Sequence, residues 1–532
     1  MDKKFLTAVL LSVVTVYGIQ YFMGKKGGAE VDPGVINLSE QQHAPGQPIK
    51  VPTTQDLYKP LNFDVQFLEK KVPGNEEITE IDTNFCKLTF SSYGAILQSI
   101  DFKEHLGKSN QPLRTVYTKS VFDEAQRKLG CFLVALDGQT PFFFKLVEKT
   151  IGEKKSELSY KAETDDWIII KTFGIFKDSY QIDVALDFKP KSDKAKQITP
   201  RLFFVAPHIA EVPEDTISII TYNESSDSID KRDIQKDQSS VWYWKEMRTI
   251  FGAEDKYFLH TLLSDPAKFV KRASFVVHSA QSVQPMLEGF TISAEQKANL
   301  SFYMGPKVID HLSFVDEKLE EVLSFGWLSW ICKVLLKLLQ WIYDYVHNYG
   351  IAIILLTILL KLPFMPFSMY SRKKMEHYQK YLPTINKIRA KYKHDLETQQ
   401  REVMQFHRDH NISPMTQMIG CLPQLLQIPV LFGLYRVLMN YLDIYQAPFV
   451  GWIVDLSAKD PYYIFPILMG LSMLWQGMMT AVADEKQRVI SIFMAIIMTV
   501  VFANFPAGLV IYWFMNNILT IGEDYLRRII YS

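Results

Sequence analysis

A single lysine sits inside an apolar run long enough to cross a bilayer. Residues 349–367 read YGIAIILLTILLKLPFMPF, with Lys361 as the one charged residue. A charge in such a span costs several kcal/mol unless water, a polar cavity or the interface relieves it. Thr357 stands four residues earlier, on the same helical face. Further on, Gln424 and Gln427 lie about one turn apart, and Tyr512, Asn516 and Thr520 share one stripe. Polar residues inside a bilayer normally face a bundle interior or a water-filled cavity. The chemistry this set supports is solvation of polar or acidic material within the membrane, not bond making. Two plainer accounts compete with it. One is interhelical hydrogen bonding, worth about 0.6 kcal/mol per pair. The other is snorkelling, since Lys361 is about 9 Å of helical rise from the end of its run. Snorkelling leaves the glutamines unexplained.

No other residue set makes a stronger case. The sequence has no GxSxG, HExxH or phosphate-cradling glycine loop. His208, with Glu211 and Glu214 nearby, is the best acid/base cluster, and a solvated loop explains it equally well. Trp242 and Trp244 offer a stacking platform for a sugar, although such aromatics are more often packing residues. His407 and His410 lack the further ligands a metal needs, and no cofactor is expected. The four cysteines show no metal or CxxC spacing; Cys86 and Cys131 would bridge only in an oxidising compartment, and buried free thiols are common. A net charge of zero over 532 residues gives no field for nucleic acid, which is not expected as a direct substrate.

The elements that must position these residues fall into a polar first part and an apolar last part. Residues 1–23 carry an apolar run behind Lys3 and Lys4, too long for a cleaved signal and right for an uncleaved transmembrane anchor. Residues 24–60 read as a flexible linker. Residues 61–325 show short alternating runs such as DWIIIKTF and YQIDVALDF between turns, which predicts an all-β sandwich domain, with some helix near VDEKLEEVL. Residues 326–348 predict an amphipathic helix with Lys333, Lys337, Gln340 and Asp344 on one stripe and Trp327, Trp330, Ile331, Val334, Leu338 and Ile342 opposite. If this helix spanned, residues 368–417, with 10 Lys/Arg against 5 Asp/Glu, would be exported against the positive-inside rule. It is therefore expected to lie along the outer surface of the membrane.

Residues 349–532 then form an α-helical core of five spans, making six with the anchor. The insertion at 368–417 predicts a cytoplasmic helical hairpin, with Met375, Tyr378, Leu382, Ile385 and Ile388 facing Val403 and Phe406 across a break near KYKHD. Its basic exterior, including Arg372, Lys373, Lys374, Lys387 and Arg389, suits anionic lipid, a ribosome or a nascent chain. Loop charges place both termini in the cytoplasm and residues 61–325 outside; only Lys25 and Lys26 run against this.

Three stretches carry a resemblance to a known family: NISPMTQMIGCLPQLLQIPVLFGLYRVL, QAPFVGWIVDLSAKDPYYIFPILMG and FPAGLVIYWFMNN. With these, residues 326–532 resemble the YidC family of membrane protein insertases, related to the Oxa and Alb proteins, and the whole layout is that of the Gram-negative members with a large periplasmic domain. The resemblance implies a β-super-sandwich outside the bacterial inner membrane. It also implies a five-helix core enclosing a hydrophilic groove, open to cytoplasm and lipid, in which nascent membrane proteins are inserted and helped to fold. Lys361 falls where family members usually carry a groove arginine. Tyr512 falls at a tyrosine that contacts the substrate helix, with Trp513 beside it. On this basis Lys361, Thr357, Gln424, Gln427, Tyr512, Trp513 and Asn516 would line the groove, and Leu431, Met469 and Val501 would touch the departing helix. The resemblance further implies the Sec translocon, the ribosome, the signal recognition particle receptor and membrane lipids as partners. The chain is not expected to be an enzyme. The alternative is a small-solute transporter whose outer domain collects ligand; the five spans show no paired halves of the kind common transporters have.

Overall fold

In the computed structural model the described residues are 65–68, 76–107, 111–117, 128–137, 140–209, 217–223, 228–234, 242–244, 250–279, 282–323, 328–410, 422–479 and 485–531. The expected anchor and linker lie outside them, as do Glu211 and Glu214. The described chain divides into two compact units that meet in sequence near residue 321.

The first unit is β-rich because its apolar residues recur with period two. Strands β1 (Ile78–Asp82), β2 (Cys86–Ser91), β3 (Ile96–Leu106) and β4 (Pro112–Tyr117) form one antiparallel sheet. The remaining strands are β5 (Leu133–Ala135), β6 (Lys145–Ile151), β7 (Lys155–Glu163), β8 (Trp167–Phe176), β9 (Gln181–Pro190), β10 (Arg201–Phe203), β11 (Ser218–Asn223), β12 (Ser228–Asp233), β13 (Trp242–Trp244), β14 (Phe251–Glu254), β15 (Phe258–Ser264), β16 (Val270–Ser279), β17 (Ser282–Gly289) and β18 (Gln296–Pro306). They form a nine-stranded sheet in the order β12-β11-β14-β15-β18-β9-β8-β7-β6 and a five-stranded sheet in the order β13-β16-β17-β10-β5. Strand β8 buries Trp167, Ile169, Phe173 and Ile175, and β9 buries Ile182, Val184, Leu186 and Phe188. Phe173 meets Phe90 of β2 with ring centroids 4.8 Å apart, and Phe302 of β18 meets Phe132 at 4.9 Å. These are the facing aromatics of a sandwich core.

Cys86 and Cys131 are free thiols, so the bridge weighed from sequence is not formed. Burial pushes the Cys86 thiol up to about 11 and the Cys131 thiol up to about 12. Both behave as small apolar core residues.

Lys171 takes a core position on β8 that alternation reserves for an apolar residue. Its ammonium donates to the carbonyls of Ala95 at 2.6 Å and Gly94 at 3.4 Å, and also to that of Phe132. Burial pushes its pKa from the ordinary 10.5 down to about 7. A depressed folded-state value favours the fold above the unfolded value, and that advantage is lost as pH falls through the folded value. Stability should therefore rise between pH 7 and about 10.5. Chemical denaturation of the full chain in detergent should show this slope, and Lys171→Met should flatten it; an equal slope in both proteins would rule it out.

The second unit is helical. It contains α2 (Ser329–Val346), α3 (Tyr349–Lys391), α4 (Leu396–Asp409), α5 (Leu422–Asn440), α6 (Ile464–Met479), α7 (Glu485–Phe502) and α8 (Ala507–Tyr531), while the short α1 (Ile309–Val315) closes the first unit. One boundary differs from that expected: helix α3 continues through residue 368 as 43 residues, about 65 Å at helical rise, with Pro363, Pro366 and Pro383 inside it. Helix α7 likewise starts on the charged run at Glu485, and α8 runs on through polar residues to Tyr531. Hydropathy marks where lipid ends, whereas Glu, Lys, Gln and Arg are good helix formers that carry a helix onward.

The distal part of α3 folds back on α4 as the periodicity predicts. Tyr378, Leu382 and Ile385 are buried against Met375, Tyr381, Val403 and Phe406. Asp395 caps α4, its carboxylate accepting from the Thr398 backbone N–H at 3.0 Å.

Helix α2 packs on the helical unit through part of its apolar surface. Cys332, Leu335, Leu336, Leu339 and Ile342 are buried, and Ile331 and Leu335 lie against Gly433 of α5. Trp330, Val334, Trp341 and Tyr345 are exposed. The helix is apolar around most of its circumference, so the polar stripe alone does not tell which apolar face meets the bundle. Exposed Leu355, Leu362, Leu471, Trp475, Ile496 and Val500 on the other helices extend this apolar surface. So large an apolar surface fits lipid rather than water as the solvent. In the segment before α6, Asp460 is fully buried and accepts from Trp452 Nε1 at 3.0 Å and from the Tyr462 and Phe465 backbone N–H groups at 3.0 and 2.8 Å. This acid organises the loop.

Candidate polar site within the helical unit

Helix α3 carries Lys361 toward α8 because the apolar residues flanking it, including exposed Leu359 and Leu362, occupy other faces of the helix. The Lys361 ammonium donates to the side-chain carbonyl of Asn516 at 3.3 Å and to the Thr520 hydroxyl at 2.5 Å. The Glu523 carboxylate lies 3.8 Å from the same ammonium. Asn516, Thr520 and Glu523 are spaced by four and three residues, so one face of α8 presents all three. The Lys361 side chain keeps 16% of its surface exposed and that of Glu523 only 6%.

The network continues at both ends. Asn516 donates from Nδ2 to the Gln427 side-chain carbonyl at 3.1 Å, and Gln427 donates from Nε2 to the Tyr512 phenol oxygen at 3.2 Å. On the other side the Ser368 hydroxyl donates to Glu523 Oε2 at 3.4 Å. Three helices, α3, α5 and α8, thus contribute to one connected polar path. Nearby, Asn517 donates to the Ser472 hydroxyl of α6 at 2.9 Å.

Of the residues expected from sequence, Lys361, Gln427, Tyr512 and Asn516 come together. Thr357 does not join them: it is buried and its hydroxyl donates to the Ile353 carbonyl of its own helix at 2.7 Å. The Gln424 side chain lies outside the described residues. Tyr512 is 1% exposed, and Trp513 packs on Phe502 at 5.3 Å with its indole N–H buried and unbonded. Met469 is fully buried, whereas Leu431 and Val501 are half-buried. Among the basic residues, Lys373, Lys374, Lys387 and Arg389 are exposed and the Arg372 side chain is not described. Lys374 lies over the Tyr370 ring at 5.7 Å.

Sequence reasoning missed Glu523 and Ser368. Their signal was present, because the Tyr512, Asn516 and Thr520 stripe continues to Glu523, but it ran past the hydropathy-defined end of the last span. The arrangement holds a cation among neutral acceptors and one carboxylate. Such a set can solvate polar groups between otherwise apolar helices.

The family described as "60Kd inner membrane protein" matches residues 341–531, and the one described as "YidC periplasmic domain" matches residues 78–338. Membrane protein insertase YidC of Syntrophus aciditrophicus is 32% identical over 556 residues, covering 99% of this chain and 99% of that protein. The Geotalea daltonii protein of the same name is 29% identical over 545 residues, covering 98% of each. A solved structure described as an active YidC insertase is 17% identical, covers 86% of this chain and 94% of that chain, and has a TM-score of 0.37. A galactose mutarotase related enzyme from Lactobacillus acidophilus is 8% identical, covers 43% of this chain and 97% of that one, and has a TM-score of 0.30.

Proposed function

The chain belongs to the YidC family of membrane protein insertases, and from that premise we propose that the Lys361 network is where a substrate's polar segment is received during insertion. The observation that carries this is the meeting of Lys361, Asn516, Thr520 and Gln427 between helices whose outer faces are apolar. A polar site at membrane depth lowers the cost of bringing hydrophilic chain part-way across. Partition of about 20 apolar residues into lipid then drives the rest, without a nucleotide. The relatives above give the small-solute transporter alternative no support.

The architecture we propose has six spans. The first is the anchor in residues 1–23, followed by a linker at 24–60 and a periplasmic β domain at 61–325. The core follows at 349–532, with its hairpin at 368–417 in the cytoplasm, and α2 lies on the outer membrane surface. The length of α3 supports the hairpin's place, because about 65 Å of helix is twice the roughly 30 Å hydrocarbon thickness and its distal half is the basic one. Both termini are then cytoplasmic, in the inner membrane of a bacterium. Nascent membrane proteins and lipid are the primary partners; the exposed basic residues Lys373, Lys374, Lys387 and Arg389 suit a ribosome or the signal recognition particle receptor, and cooperation with the Sec translocon follows the family pattern.

Half-buried Leu431 on α5 and fully buried Met469 on α6 supply the test. A photo-crosslinking residue at Leu431 should capture nascent single-span proteins, and one at Met469 should capture several-fold less. Capture at neither position, or of small solutes only, would remove the insertase site from this part of the bundle.

A further inference from the structure

Lys361 is not a lone groove cation, because this chain sets its own carboxylate beside it. Glu523 is 6% exposed, lies 3.8 Å from the Lys361 ammonium and is held by the Ser368 hydroxyl on the same helix as Lys361. The direct hydrogen bonds from the ammonium go to Asn516 and Thr520, so Glu523 contributes charge at slightly longer range. A buried carboxylate next to a cation fixes the net charge that an entering segment meets. A neutral polar segment then meets a satisfied pair. An acidic segment must take over the ammonium while Glu523 repels it.

We propose that Glu523 is a positioning residue that sets the charge preference of the site: it neutralises Lys361 at rest and is the group an acidic substrate segment must displace. The proposal rests on the insertase assignment above.

The full chain, purified and reconstituted in proteoliposomes, is given two synthetic single-span substrates that differ by one Asp or Asn in the translocated segment. Wild type should insert the Asn substrate the faster of the two. Glu523→Gln should raise the rate of the Asp substrate relative to the Asn one by about fivefold, and Glu523→Asp should restore the wild-type ratio. A second variant keeps the test open should Glu523→Gln fail to fold: Ser368→Ala removes the hydroxyl that holds the Glu523 carboxylate and should shift the ratio toward the Asp substrate by a smaller factor. Unchanged ratios at normal total yield overturn the charge-setting role, since a merely structural Glu523 would lower both substrates together. Insertion of neither substrate by the wild-type chain would overturn the insertase assignment instead, and this proposal with it.

Discussion

Lys361→Ala is expected to abolish rescue of cells depleted of their own insertase, whereas Lys361→Arg should retain it. The alanine removes the donor to Asn516 and Thr520 and takes the Lys361 cation away from the buried Glu523 carboxylate. Breaking one partner out of a buried ion pair costs about 3–5 kcal/mol, a large share of a total stability of about 5–15 kcal/mol. Lost rescue would therefore have two causes, lost charge and lost stability, and they separate experimentally. Lys361→Ala/Glu523→Gln should regain most of the thermal stability in detergent because the carboxylate charge is removed together with the ammonium. If it still fails to rescue, the cation itself is required. Arginine keeps the charge and adds a planar fork whose donors fit the Asn516 carbonyl, the Thr520 hydroxyl and Glu523. Full rescue by Lys361→Ala would leave snorkelling as the better account of this lysine.

Gly252→Val should unfold the β-rich unit and spare the helical one. A Cβ at Gly252 would lie 2.2 Å from the His260 carbonyl oxygen and 2.5 Å from the Thr261 Cα, both backbone atoms of the neighbouring strand β15. No rotamer relieves a clash with main chain, so β14 and β15 must separate inside the nine-stranded sheet. That separation also disturbs His260, whose Nδ1 meets the Val205 carbonyl at 2.8 Å and whose Nε2 meets the Thr115 hydroxyl at 3.2 Å. Burial pushes this histidine down to about 4, so it is neutral in the fold and has no charged state to fall back on. Thermal unfolding followed together with limited proteolysis should show early loss of residues 78–321 and an unshifted transition for the helical unit. Wild-type resistance throughout would mean that the sheet tolerates the extra carbons.

Much of this was legible in the sequence because the signals were periodic. Alternation in DWIIIKTF and YQIDVALDF fixed two central strands and which of their residues go inward. The repeat of Met375, Tyr378, Leu382 and Ile385 gave the hairpin core. The polar residues at 361, 427, 512 and 516 stood out because each was costly where it lay. Less legible were features set by contact. Lys171 reads as a surface residue by type, yet three carbonyls from other segments hold it in the core. Met469 and Leu431 look alike in sequence, yet one is fully buried and the other half-exposed. Which face of α2 meets the bundle was not legible, because apolar residues cover most of that helix.

By itself, then, the sequence determined that an expensive cation lies in an apolar helix, that further polar residues recur on neighbouring spans, and that a β domain precedes them. Local periodicity and transfer cost need no partner to be read. Only the tertiary structure decided which of those polar groups meet. Asn516 and Thr520 accept from Lys361, Gln427 links Asn516 to Tyr512, Thr357 turns back on its own helix, and Glu523 supplies the countercharge. The reason is physical: a hydrogen bond or ion pair depends on positions a few ångströms apart in space, and residues 361 and 523 become neighbours only when α3 and α8 pack.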